Sequence, residues 1–189
     1  MDFEWAGETA RHVGTVVHAC LQRIAEDGVS AWTTAIGQEF GGHIQAELVR
    51  LGVASDERAA AGAKVVSALQ RTLGDERGRW VLDRHREARS EWRLTGLISG
   101  RLVDVAIDRT FVDATGTRWI IDFKPGGHEG GDTEGFLDNE LERYRAQLNQ
   151  YATLVAALPG TGRNTIRLAL YFPMLSGWRE WAWQPEQQG

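Results

Sequence analysis

The sequence predicts a single mixed α/β domain, helical in its first half and built on a central sheet in its second. Two observations carry this. From Thr9 to Leu73, apolar residues return every three to four positions, the period of a helix with one buried face. Beyond Arg84 the pattern changes to Val, Ile, Trp and Phe in short alternating runs separated by Gly, Asp and Pro, the pattern of strands and turns.

The elements follow in order. From Thr9 to Ala25, Val13, Val16, Val17, Cys20, Leu21 and Ile24 form an apolar stripe, with Gly28 as the stop signal. Trp32 to Leu51 and Asp56 to Leu73 read as two more helices, the second opened by Ser55-Asp56-Glu57 and closed by Gly74. Strands are expected at Glu87 to Thr95, Gly100 to Val112 and Thr117 to Lys124, the last two joined by the turn Asp113-Ala-Thr-Gly116. The Gly-rich stretch from Pro125 to Gly135 reads as a loop. A helix from Phe136 to Ala157 ends at Pro159-Gly160, and strands at Thr165 to Phe172 and Gly177 to Trp183 complete the domain.

Composition narrows the function classes. With 189 residues and 42% apolar content, one core suffices, so residues 1–83 read as the mainly helical part and 84–189 as the sheet-bearing part of one domain. The single Cys20 rules out an internal disulfide, a four-cysteine zinc site and a cysteine-held iron-sulfur cluster, and makes an intracellular compartment the default. No membrane span and no signal peptide is expected. A net charge of -5 argues against gripping nucleic acid by bulk charge and is compatible with a carboxylate metal site. Arg84, Arg86, Arg89 and Arg93, or Arg143 and Arg145, read either as local phosphate-binding patches or as solvated surface charge. No Gly-x-x-x-x-Gly-Lys loop is present, which removes nucleotide motors.

Lys124 stands out because the chain carries two lysines against 19 arginines. In a strand, Asp122 and Lys124 share one side while Trp119, Ile121 and Phe123 take the other. An ammonium can release or steer a proton where a guanidinium stays charged, so a lysine here suits chemistry, with an exposed ion pair as the plain alternative. In the preceding strand, Val103, Val105, Ile107 and Phe111 take one face and leave Asp104, Asp108 and Thr110 on the other. Asp108 and Asp122 share a face if the hairpin register is even, as a five-residue loop gives, and that register also stacks Phe111 and Ile107 beside Trp119 and Phe123. Two carboxylates and a lysine on adjacent strands suit a hard divalent cation with a water beside it.

Four stretches have family counterparts. Gly14-Thr-Val-Val-His18 is similar to a Gly-x-x-x-His helix, Ile107-Asp108-Arg109 and Ile121-Asp122-Phe123-Lys124 to two carboxylate motifs, and Tyr144-Arg-Ala-Gln147-Leu148-Asn-Gln-Tyr151 to a Tyr-x-x-Gln-Leu-x-x-Tyr helix. In this order, over most of the chain, they resemble the PD-(D/E)XK nuclease superfamily, and within it the RecB/AddA-type nuclease domain of bacterial recombination helicase-nucleases. The resemblance implies a restriction-endonuclease-like core, with a central mixed β-sheet flanked by helices and an N-terminal helical segment. It implies a metal-dependent DNA nuclease, exonuclease rather than endonuclease, acting at DNA ends or single strands in double-strand break repair. His18, Asp108, Asp122 and the Phe123 backbone carbonyl would hold Mg²⁺, with Mn²⁺ as substitute. Lys124 would act catalytically beside Asp108 and Asp122, and Tyr144, Gln147 and Tyr151 would support the site or touch DNA. DNA and a helicase, on the same longer chain or on a partner subunit, would be its partners in a bacterial cytoplasm. The cysteine count departs from relatives with a four-cysteine iron-sulfur staple, and the start of the chain inside a motif region favours a fragment of a longer helicase-nuclease.

Other residues carry competing accounts. His18 alone, at the border of an apolar face, reads as a half-buried structural histidine, and Gly14 one turn earlier either is tolerated or lets a strand or phosphate come close. Gln147 on an apolar-leaning stripe needs a polar partner such as a carboxylate, metal-bound water or phosphate. Asp104 rivals Asp108. Glu91 is a further acidic ligand or, more plainly, an exposed strand carboxylate. His128 reads as a loop residue. Trp178, Trp181 and Trp183 stack on bases, cover a sheet edge or face a partner. Two rival functions remain beside the nuclease: an inactive nuclease-like module that binds DNA or docks a subunit, and a sheet domain that binds a small anion at Lys124.

Overall fold

A computed structural model of the chain describes residues 2–32, 36, 39–127, 130–161 and 165–185, with side chains from residue 7 onward except that of residue 39. The described residues fall into two compact units interleaved along the chain: those within 1–83, 123–128 and 172–177, and those within 84–122, 129–171 and 178–189.

The first unit is helical. Helix α1 spans Asp2–Asp27 and buries the expected stripe, with Val17, Leu21 and Ile24 fully enclosed. It starts seven residues before the predicted Thr9, because no breaker other than Gly7 interrupts a stretch that lacks apolar periodicity. At its end the Gly28 N–H closes onto the Ile24 carbonyl at 2.8 Å, and Gly28 takes φ 95°, the positive φ that glycine tolerates best. A 3₁₀ turn, Val29–Ala31, follows. Helix α2 spans Glu39–Arg50 rather than starting at Trp32, which instead caps the 3₁₀ turn. Helix α3 spans Arg58–Gly74. The Ser55-Asp56-Glu57 signal does not work as a side-chain cap: Glu57 occupies the cap position without such a bond, and its carboxylate accepts from the Thr9 hydroxyl of α1 at 2.5 Å. Helix α4, Glu76–Leu82, was not expected; Asp75 caps it by accepting from the N–H groups of Arg77 and Gly78 at 3.3 and 3.1 Å. Side chains such as Leu48, Val65 and Leu69 fill this core, each contributing about 1.5–3 kcal/mol by leaving water.

The second unit carries the mixed sheet that the sequence predicts. Strands β1 (Arg86–Ile98), β2 (Arg101–Val112), β3 (Arg118–Phe123), β4 (Ile166–Phe172) and β5 (Gly177–Ala182) lie in that order. β1 and β2 form a long hairpin whose two-residue turn, Ser99-Gly100, has φ of 50° and 75°, the sign that a tight hairpin with the native twist demands. β2 and β3 are antiparallel across a five-residue loop in which the Asp113 carboxylate accepts from Thr115, Thr117 and the Trp119 indole. Arg118 N–H donates to the Thr165 carbonyl at 2.9 Å, so β3 and β4 run start beside start, parallel, as a helical crossover requires. Trp183 N–H donates to the Ile166 carbonyl at 3.0 Å, so β5 returns antiparallel. All six residues of β3 are buried, as expected for the central strand.

The crossover is helix α5, Thr133–Ala156, which starts three residues before the predicted Phe136 because Asp132 accepts from Gly135 N–H at 2.9 Å and caps it. α5 lies against β1 so closely that a Cβ at Gly96 would stand 2.7 Å from Leu154 Cδ2. No helix among the described residues is long and apolar enough to cross a membrane.

Candidate active site

The register of the sheet brings the carboxylates together. Val112 pairs with Arg118, Phe111 with Trp119 and Arg109 with Ile121, and one further step sets Asp108 opposite Asp122. On the other side of β2, Ser90 pairs with Arg109 and Trp92 with Ile107, which sets Glu91 opposite Asp108. Directly opposed residues point to the same face, so three neighbouring strands present Glu91, Asp108 and Asp122 side by side. Carboxylate oxygens of Glu91 and Asp108 come within 4.8 Å of each other. Two carboxylates this close suit a hard divalent cation, which takes oxygen ligands. Like charges opposed across strands repel, and a bound cation would offset that repulsion. Asp122 is 4% exposed, and Glu91 and Asp108 are half-buried.

Glu91 corrects the plainer account of it as an exposed strand carboxylate. It is held at φ 47°, a left-handed conformation that costs an L-residue roughly 1–2 kcal/mol. Such positions persist where the surroundings fix them and cluster at functional sites. The signal was present in the sequence: a two-residue turn at Ser99-Gly100 fixes the hairpin register and with it the pairing of Glu91 with Asp108.

Helix α5 adds a polar ceiling. Tyr151 is buried, and burial is the main cause that raises its phenol pKa; the amide of Gln147 opposes this, and the charges of Asp122, Asp108 and Glu91 raise it further. Tyr151 thus feels all three carboxylates and stays a neutral phenol at any working pH. Gln147, one turn earlier, donates its amide to the Tyr151 hydroxyl. One polar partner of Gln147 therefore lies on its own helix. Tyr144, on the same face at helical spacing, is half-buried with the Arg143 guanidinium 5.2 Å from its ring centroid.

The first unit holds the other sequence-predicted residues. His18 Nε2 lies 2.9 Å from the Phe123 carbonyl oxygen, and the His18 and Phe123 rings meet edge to face at 5.9 Å. Gly14, one turn before His18, faces the same segment: a Cβ there would sit 3.0 Å from Pro125 Cγ. α1 therefore approaches the backbone of 123–125 through a residue without a side chain and meets it with an imidazole. Lys124 is half-buried, just past the last residue of β3. Asp122 and Phe123 are consecutive, so the carboxylate and the carbonyl are joined through one peptide bond.

Several candidates fall elsewhere. Asp104 pairs with Thr95, four residues up the ribbon from Asp108, and accepts from its hydroxyl. Trp178 donates to Glu180 at 2.7 Å beside Trp119 and Tyr171, and Trp181 donates to Asn149 at 3.3 Å, so both cover the sheet and α5. Arg143 and Arg145 pair with Glu140 and Glu142 on their own helix. His128 lies outside the described residues.

Residues 4–184 match the PD-(D/E)XK nuclease superfamily. No curated protein matches the chain.

Proposed function

The chain belongs to the PD-(D/E)XK nuclease superfamily, and we propose that it is a Mg²⁺-dependent deoxyribonuclease, the single nuclease domain of a RecB/AddA-type helicase-nuclease in the bacterial cytoplasm. The observation that carries the activity is the register that aligns Glu91, Asp108 and Asp122 on one face of three strands. The finer assignment rests on the four ordered motifs, from Gly14 to Tyr151.

Glu91, Asp108 and Asp122 supply hard oxygen ligands for Mg²⁺ or Mn²⁺. His18 Nε2 and the Phe123 carbonyl would be further ligands, as the family motifs imply; the two atoms lie 2.9 Å apart. A cation held there would supply Lewis-acid chemistry, lowering the pKa of a nearby water and stabilising charge on the phosphoryl oxygens. Lys124 would orient the attacking water, whose proton passes to solvent, and Tyr151, held by Gln147, would support the site from α5. Water oxygen bonds to phosphorus as the opposite ester bond breaks, in line, and the departing oxygen takes a proton from solvent. Cleavage runs from DNA ends or along single strands delivered by the helicase.

The test is incubation of the purified chain with linear single-stranded DNA and Mg²⁺ or Mn²⁺, beside Lys124→Ala and an EDTA control. Cleavage lost in both controls supports the assignment. If the wild type does not cleave, Mn²⁺ calorimetry decides: binding leaves a nuclease that needs its motor, and no binding makes the chain an inactive docking module.

A further inference from the structure

Where β1 is bulged, the second unit holds a cavity of about 570 Å³ lined by Glu87, Arg89, Trp92, Arg118, Pro159 and Thr161. Arg118 is 3% exposed, yet among the described residues its Nε–H has no hydrogen-bond partner. Among the described residues it pairs with Glu87, whose side chain is 54% exposed. The register of β1 against β2 shifts between Arg86 and Arg89, and Glu87 in that bulge takes φ 51°, a conformation uncommon for a residue with a side chain. The arginine is thus built in, while the carboxylate that meets it sits on a solvent-facing irregularity able to swing away. Arg89 stands at the rim with its guanidinium 4.8 Å from the Trp92 ring centroid.

Arg118 and Asp122 lie four residues apart on β3, so they share a face, and at roughly 3.3 Å per residue their backbones are about 13 Å apart. Glu87 and Glu91 repeat that offset on β1.

We propose that this cavity is a phosphate subsite for the nucleic-acid strand, a few nucleotides from the bond that is cut. The inference rests on the nuclease reading. A backbone phosphate displaces the Glu87 carboxylate and accepts from the Arg118 guanidinium, including its unused Nε–H, in the forked geometry that arginine offers. Arg89 adds a second charge, and Trp92 offers an adjoining base an aromatic edge. Until a strand arrives, Glu87 fills the place of the anion.

The test measures the affinity of a fluorescein-labelled single-stranded oligonucleotide in EDTA, over a range of salt, for the wild type, Glu87→Gln and Arg89→Gln; both positions are exposed. Glu87→Gln, which removes the competing charge, is expected to tighten binding roughly twofold to fivefold, the scale of one partly exposed ion pair, and Arg89→Gln to weaken it with a shallower salt dependence. Inorganic phosphate is titrated in parallel as a competitor. No change of strand affinity in either variant overturns the proposal. So does tighter binding of inorganic phosphate by Glu87→Gln with strand affinity unchanged, which would make the cavity a free-anion site. Cleavage by the wild type in Mg²⁺ is read separately: cleavage without a Glu87 effect sinks the subsite and keeps the nuclease, and a Glu87 effect without cleavage keeps the subsite and leaves the nuclease reading to the Mn²⁺ titration.

Discussion

Gly14→Ala should separate stability from activity. Gly14 is an interior residue of α1, where exchange for alanine stabilises a helix by about 0.8–1 kcal/mol. For a chain of this length that raises Tm by roughly 2–4 °C. The new Cβ, however, would stand 3.0 Å from Pro125 Cγ. Carbon atoms rest at about 3.5–4.0 Å, so Pro125 must retreat by roughly 0.5 Å. Pro125 follows Lys124, and the same short segment carries the Phe123 carbonyl that meets His18. A 1 Å misplacement of a catalytic group costs about 10²-fold, so half that distance predicts a rate lower by about tenfold. The assay pairs a thermal melt with initial cleavage rates on single-stranded DNA in Mn²⁺, and Mn²⁺ affinity by calorimetry reads the ligand geometry independently. A raised Tm with an unchanged rate and unchanged Mn²⁺ affinity would refute the reasoning, because it would mean that α1 does not hold this segment in place.

Four further predictions follow from the same geometry. Asp108→Asn should abolish the stabilisation that Mg²⁺ confers and lower cleavage by about 10²–10³-fold, yet raise the metal-free Tm, since relieving like charges across a strand pair is worth about 0.2–1 kcal/mol; melts with and without Mg²⁺ show both signs. Tyr151→Phe removes the acceptor of the Gln147 amide and should cost about 1–2 kcal/mol in denaturant unfolding. Its raised pKa makes the folded state hold a proton that the unfolded chain releases above about pH 10, so wild-type stability should fall as pH rises past that value and the variant should lose this dependence. Asp113 has the opposite sign: burial tends to raise its pKa, but hydrogen bonds from Thr115, Trp119 and Thr117 outweigh that and hold it lowered. Its contribution is present above about pH 3.9 and is lost as pH falls through the folded value, so Asp113→Ala should flatten the acid limb of stability measured by urea midpoints. Burial, with the Glu47 charge adding, pushes the Cys20 thiol up to about 12, so iodoacetamide at pH 8 should label it only after unfolding, and fast native labelling would show that the α1 core opens.

How much the sequence disclosed depends on whether a feature is local or relational. The α1 stripe, the strands and the even register of β2 and β3 were legible because each rests on periodicity or on the length of the 113–117 loop. That register also stacks Phe111 beside Trp119, so core and carboxylates agree on one pairing. Helix α4 was missed because seven residues give too little periodicity, although Asp75 after Gly74 is a start signal. Gln147 was legible as an amide in need of a polar partner, and an i,i+4 bond to the Tyr151 hydroxyl supplies one that sequence spacing alone did not single out.

The two least legible features both depend on the β1–β2 hairpin. Glu91 gains its meaning from a pairing counted back from Ser99-Gly100, seven steps down each strand from Ile98 and Arg101. Once that turn is fixed, the count places Glu91 opposite Asp108 without further information. Four residues nearer the start of β1, the same count fails, because the bulge between Arg86 and Arg89 adds a residue that no propensity announces. Glu87 and Arg118 therefore meet only in three dimensions. A ribbon that keeps register at Glu91 and loses it at Glu87 does two things along one strand. In register, it aligns carboxylates able to hold a cation; out of register, it turns a single carboxylate toward an arginine of β3, the place the proposed phosphate would take.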